Sequence, residues 1–254
     1  MELNRHFGAR RDAPDPRDHS YDPDPALLKA LPNSVDLRSK CPPVYDQRPL
    51  QSCTANATAA AIHFERRRLK LEPDFTPSRL FIYWNERKLT ARLAQDAGSS
   101  LRSAIKAVAK FGDCPEPVWP YEADKVEVEP TARCYDMAVK YRGVAYQRLR
   151  QELPHMKACL AAGQPFVFTF GVYAGFDSPA AAQTCTVPMP AEGEKFEGNH
   201  AVMAVGYDDA GSRLWLRNSW GPHWAQGGYF QMPYDYIKNP RLSGDFWTIR
   251  LLHN

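Results

Sequence analysis

A chain of 254 residues, 44% hydrophobic and 24% charged, has the make-up of a globular protein large enough for one big domain or two lobes. The net charge of +3 is small and its basic residues are dispersed, with no basic stripe interleaved with aromatics, so nucleic acid is not an expected partner. No segment is apolar for long enough to cross a membrane, and Met1 to His6 lacks the apolar stretch of a secretory signal. The expectation is a monomer without membrane contact, either cytoplasmic or exported without a recognisable signal peptide.

Residues 1–32 stand apart. The run from Pro14 to Pro25 is rich in Pro and Asp and has no apolar period. Its prolines remove backbone donors and push their predecessors into extended geometry, so regular helix is excluded. The segment reads either as an extended arm or as a disordered tail, followed by a short helical turn around Ala26 to Leu31. Cys53 to Arg68 has apolar residues at helical spacing and many alanines, which predicts a central buried helix. The cluster Arg66-Arg67-Arg68 with Lys70 at its end reads as a solvated face. Ser78 to Leu89 and Leu101 to Phe111 predict two more helices, the second stopped by Gly112. From about residue 144 the pattern changes. A helix over Leu153 to Ala162 precedes β-type runs at 165–170, 200–207, 214–216, 228–232 and 246–252. Asp208 to Gly211 separates two of these in hairpin fashion. The chain is therefore expected to be α+β, with a helical lobe over 33–143 and a β-rich lobe over 144–254.

The six cysteines (41, 53, 114, 134, 159 and 185) have irregular spacing and no C-x-x-C pair, so neither a structural zinc nor a disulfide scaffold is expected. Cys53 is distinctive. It follows a proline-containing loop and opens the alanine-rich helix, where the positive end of the helix dipole favours the reactive thiolate. A buried, inert cysteine is the commoner role for such a residue. A cysteine nucleophile needs a base, and the base needs an orienting partner. His6, His19 and His253 lie near the termini, and His63 and His155 fall within helical patterns. His200 instead begins an otherwise apolar strand after Gly198-Asn199. Asn218 ends the following strand, so antiparallel pairing would bring the two together, with Trp220 shielding the bond between them from water.

Three segments carry a family resemblance: 46–53 ending in Cys53, Asn199 to Tyr207, and Asn218 to Tyr229. Val35-Asp36-Leu37-Arg38 and Trp119-Pro120-Tyr121 add to it. The order is Cys, His, Asn, with His200 147 residues after Cys53 and Asn218 a further 18 on, and papain-type enzymes place the histidine about 130–150 residues downstream. Residues 33–254 thus resemble the papain family of cysteine peptidases. The resemblance implies a two-lobe fold, a helical N-terminal lobe facing an antiparallel β-barrel-like C-terminal lobe across a cleft. It implies hydrolysis of peptide or protein substrates through a thioester, with no metal or organic cofactor. Cys53 would be the nucleophile, His200 the base and Asn218 its orienter. The oxyanion would be held by Gln47 and the backbone amide of Cys53. Gly98 and Ser99 would clamp the substrate backbone, Asn199 would lie beside the base, and Leu101 and Ala201 would wall an apolar S2 pocket.

Some positions depart from the family pattern. Leu50 stands where a disulfide partner is common, Gln51 replaces a glycine that lines the cleft, and Thr54 replaces a tryptophan. The segment before Leu31 is too short for a long helical prodomain and resembles the short leaders of some bacterial papain-like enzymes. It is expected to lie along the cleft and restrain activity. Two alternatives keep the fold: an acyltransferase or deamidase using the same thioester, and a non-catalytic binding module.

Overall fold

The computed structural model describes residues 7–93, 95–176 and 178–252, so His6 and His253 lie outside it. The arm is extended and anchored. Its two-residue strand β1 (Ala9–Arg10) pairs in parallel with β3 (Ser99–Ser100). Farther along, Asp12 accepts from the Trp247 indole at 2.8 Å and from the Arg102 amide at 3.1 Å. Asp18 pairs with the Arg102 guanidinium and, at 3.3 Å, with Arg148. The predicted turn is helix α1 (Pro25–Lys29), with Pro25 in its first turn and the Asp24 side chain capping the Ala26 amide. It stops short of Leu31.

After β2 (Ser34–Asp36) comes α2 (Cys53–Arg68), then α3 (Arg79–Leu89) and α4 (Leu101–Phe111). Residues 53 to 66 of α2 are all buried. Its alanines let neighbours pack on several sides, including α3, α4 and the sheet. Gly112 ends α4 at φ 90°, and a Cβ there would sit 1.8 Å from the Ala138 carbonyl oxygen, so only glycine fits. Arg67, Arg68 and Lys70 are exposed as expected, but Arg66 is buried. Its guanidinium lies 3.7 Å from the Phe75 ring centroid and donates to the Pro73 carbonyl at 2.6 Å, so stacking and a backbone acceptor replace solvent.

The second half contains α5 (Ala132–Ala138), β4 (Val144–Arg148), α6 (Leu153–Ala161), β5 (Phe166–Tyr173), α7 (Pro179–Thr184), β6 (Phe196–Asp208), β7 (Arg213–Arg217), β8 (Tyr229–Pro233), α8 (Tyr234–Lys238) and β9 (Ser243–Leu251). The strands form one antiparallel sheet in the order β4-β9-β5-β6-β7-β8, with β2 added alongside β6. This sheet is open, which corrects the expectation of a barrel-like lobe. Its terminal strands β4 and β8 do not pair with each other, and their outer edges take only short bridges, Ser20 to Arg148 and Thr186 to Gln231. β2 can reach β6 because residue 206 is glycine: a Cβ there would lie 2.3 Å from the Val35 carbonyl oxygen. β5 is buried along nearly its whole length, between β6 and β9 and beneath α2.

Asp113, just past α4, is fully buried with no hydrogen-bond donor to its carboxyl among the described residues. Burial pushes this carboxyl up to about 8, against the opposing pull of the Arg66 charge. In an unfolded chain it ionises at about 4. Between those values the folded state keeps a proton that the unfolded state has lost, so stability falls as pH rises through that window. Asp113→Asn is therefore expected to melt several degrees above the natural protein at pH 8. The gap should close toward pH 4, as read by thermal denaturation at both values.

Candidate active site

Cys53 opens α2 and is fully buried. The preceding loop is fixed by a relay of hydroxyls. Tyr121 donates to the Gln47 carbonyl at 2.8 Å, and its oxygen lies 2.5 Å from Ser52 Oγ. The Asn56 side chain donates to both the hydroxyl and the carbonyl of Ser52 at 3.0 Å. The backbone amides of Ala201, Gly8 and Thr54 lie close enough to the Cys53 sulfur to favour its charged form. The Ala201 contact brings the strand position next to His200 onto the nucleophile.

Burial pushes the Cys53 thiol up to about 12, and those three amides only partly offset it. This differs from the thiolate expected at a helix start. A dipole at the surface is one matter, but here the sulfur is completely covered, partly by Gly8, and desolvation of the charged form wins. Thr54, in place of the family's tryptophan, donates to Glu86 Oε1 at 2.8 Å. Burial holds that carboxyl well above its ordinary range.

β5, β6 and β7 place the remaining groups. His200 sits on β6 opposite Phe170, and Asn218 directly follows β7. His200 Nε2 and Asn218 Oδ1 are 2.8 Å apart. The Ser219 amide donates to the same Oδ1 at 2.8 Å, which fixes which end of the Asn218 amide is oxygen. His200 therefore donates from Nε2, and Nδ1 is left as the basic nitrogen. Trp220 stacks on the imidazole with centroids 5.0 Å apart and planes 27° from parallel, and it packs in turn against Trp224. Gln47 is buried. Its Oε1 accepts from Ser219 Oγ at 2.6 Å, and its Nε2 donates to the Leu50 carbonyl at 2.9 Å, leaving a second N–H on that nitrogen.

The expected substrate-side residues lie along the arm. The Ser99 amide donates to the Gly8 carbonyl at 3.0 Å, and Asn199 pairs with Gly8 in a parallel bridge. Gly98 packs on Gly8 so closely that a Cβ at 98 would lie 1.9 Å from the Gly8 oxygen. Leu101 and Ala201 are both buried. Phe7 meets His200 edge-on at 5.9 Å and Trp220 at 6.1 Å. The sequence reading missed Ser219, Phe7 and Gly8. Ser219 was detectable as the neighbour of Asn218, whereas an isolated Phe-Gly in the arm gave no signal.

Residues 31–241 match the papain family cysteine protease domain. The chain belongs to this family. Among papain-family structures, that of xylellain, a cysteine protease from Xylella fastidiosa, superposes with a TM-score of 0.93 at 42% identity, covering 100% of this chain and 98% of that one. An uncharacterized peptidase C1-like protein of Acanthamoeba polyphaga mimivirus is 35% identical over 98% of this chain and 88% of its own length. A digestive procathepsin L from the larval midgut of Tenebrio molitor shares the papain fold at a TM-score of 0.71 and 19% identity, across 98% of this chain and 77% of that one. The protein is thus a cysteine-type peptidase. All six of its cysteines are free thiols.

Proposed function

We propose that this papain-family peptidase is an endopeptidase in which Cys53, His200 and Asn218 carry the chemistry, and that its N-terminal arm restrains it. The His200–Asn218 bond, made by the strand residue next to Ala201, whose amide lies by the helix-start Cys53, is the observation that carries the catalytic assignment. In the reaction, His200 Nδ1 takes the Cys53 proton and the sulfur attacks the substrate carbonyl carbon. The oxyanion is met by the free N–H of Gln47 and the Cys53 amide. Collapse expels the amine, which receives the proton from His200. Water then attacks the thioester with the same imidazole as base, releasing the acid and the thiol.

The arm's restraint is supported by what it presents to the sulfur. A substrate must offer a carbonyl carbon, whereas the arm offers the Gly8 N–H. The Gly8 carbonyl is taken by the Ser99 amide, and the Phe7 oxygen approaches Gly198. The arm thus fills the place of a substrate without exposing an electrophile, and its cover helps keep the thiol protonated.

A thiol-directed epoxide is expected to label the protein at one equivalent, with labelling lost in Cys53→Ala. Mass analysis of peptide products formed with and without a competing amine tests the reaction type. Internal cleavage to free acids supports the endopeptidase reading, and dominant amide transfer replaces it with acyl transfer.

A further inference from the structure

Gly8 is gripped from two sides, and the two sides are joined by one carboxylate. On one side lies Gln51, two residues before the nucleophile: a Cβ on Gly8 would sit 2.4 Å from both the Cβ and the carbonyl oxygen of Gln51. On the other lies Gly98, whose own Cβ would clash with the Gly8 oxygen. Any residue bound beside the sulfur has to enter this same slot, so its width matters for catalysis. The Gln51 amide donates to both oxygens of Asp96, at 3.1 and 3.0 Å, while the Gln51 side chain donates to the Asp96 carbonyl. The hydroxyl of Tyr83, a fully buried residue of α3, donates to Asp96 Oδ1 and accepts the Gly98 amide at 3.1 Å.

We propose that Asp96 is a positioning residue for the peptidase reaction, its carboxylate tying the nucleophile loop at Gln51 to the Gly98–Ser99 edge through Tyr83 and so setting the width of the slot beside Cys53. The slot's two walls come from separate elements, the loop leading into α2 and the strand leading into α4, and no disulfide joins them. A carboxylate that accepts two or more donors at once is a strong, directional tie. Its loop is held independently of the slot: the buried Arg87 guanidinium donates to the Gln95 carbonyl at 2.9 Å, so Asp96 is presented from a fixed base. The Asp96 carboxylate accepts from the Gln51 amide and the Tyr83 hydroxyl. Its effect passes through Gln51 and Gly98, and it therefore acts on fit to the slot rather than on proton transfer.

This inference rests on Cys53 being the nucleophile of the peptidase. The test uses the full-length protein and two peptides that differ only in glycine or leucine at the residue supplying the attacked carbonyl. The readout is the ratio of their kcat/KM values. A competing arm scales both values equally, as does any loss of active protein, so the ratio isolates the slot. Asp96→Ala is expected to lower the glycine-over-leucine ratio about tenfold, and Tyr83→Phe about threefold. The double variant should add little beyond Asp96→Ala, because both act through one network. Asp96→Asn, which keeps one acceptor oxygen, is expected to lie between and serves if the alanine variant does not fold. An unchanged ratio in Asp96→Asn and Tyr83→Phe, with Cys53 still alkylated at the natural rate, overturns the proposal. If neither the natural protein nor Gly8→Leu, in which the arm is lifted, cleaves either peptide, it is the peptidase assignment of Cys53 that fails.

Discussion

Full-length protein carrying Gly8→Leu is expected to hydrolyse a peptide substrate about 10–100-fold faster than the natural chain, a change equal to about 1.4 kcal/mol per factor of ten. At position 8 the arm meets the loop before the nucleophile with no room for a side chain, since even a Cβ would lie 2.4 Å from Gln51 backbone and side-chain atoms. A leucine cannot be accommodated by rotation, so the Phe7–Ala9 stretch must lift from the sulfur. The rest of the arm has no reason to leave. Asp12 stays bonded to Trp247 and the Arg102 amide, and Asp18 to the Arg102 and Arg148 guanidinium groups. This is why the substitution is a cleaner test than truncation at Leu31, which also strips partners from Arg102, a residue only 8% exposed. Uncovering the sulfur rehydrates it, so the pH at which iodoacetamide alkylates Cys53 should fall in the same variant. Equal kcat/KM and equal alkylation in the two proteins would sink the idea of a restraining arm.

Much of this was legible along the chain because it depends on local periodicity. Cys53–Arg68 and Leu101–Phe111 appear at their predicted bounds, since helical spacing and glycine termination are properties of the segment itself. The hairpin joining β6 and β7 was readable from Asp208 to Gly211, and with it the approach of Asn218 to His200. What escaped was set by distant parts of the molecule. β4 is half-buried at every position and so carries no alternation. Arg66 looked solvated because nothing near it in sequence reveals that Phe75 and Tyr141 converge on its guanidinium. Sheet closure is decided by whether two edges meet, and that is invisible in any single strand. Asp96 and Tyr83 are ordinary residues in sequence and become a unit only when α3 and the Gln51 loop pack together.

Gln47→Ala is expected to lower kcat/KM by about 10²–10³, or roughly 2.7–4 kcal/mol of transition-state stabilisation. The magnitude follows from how the amide is held. Ser219 Oγ grips Oε1 at 2.6 Å and the Leu50 carbonyl engages one N–H at 2.9 Å, so the other N–H is fixed before any substrate arrives. A donor pre-oriented in a buried position strengthens its bond as charge builds on the attacked oxygen, and needs no reorganisation to do so. The loss should therefore fall mainly on kcat, because the ground-state carbonyl is a much weaker acceptor than the oxyanion. Ser219→Ala should cost less, about tenfold, since it frees the amide to rotate without removing it. Alkylation of Cys53 by iodoacetamide develops no oxyanion, so its rate in Gln47→Ala should match the natural protein while peptide turnover collapses. A parallel fall in both rates would mean that Gln47 acts by holding the Cys53 loop, through the Tyr121 bond to its carbonyl, rather than by meeting the oxyanion.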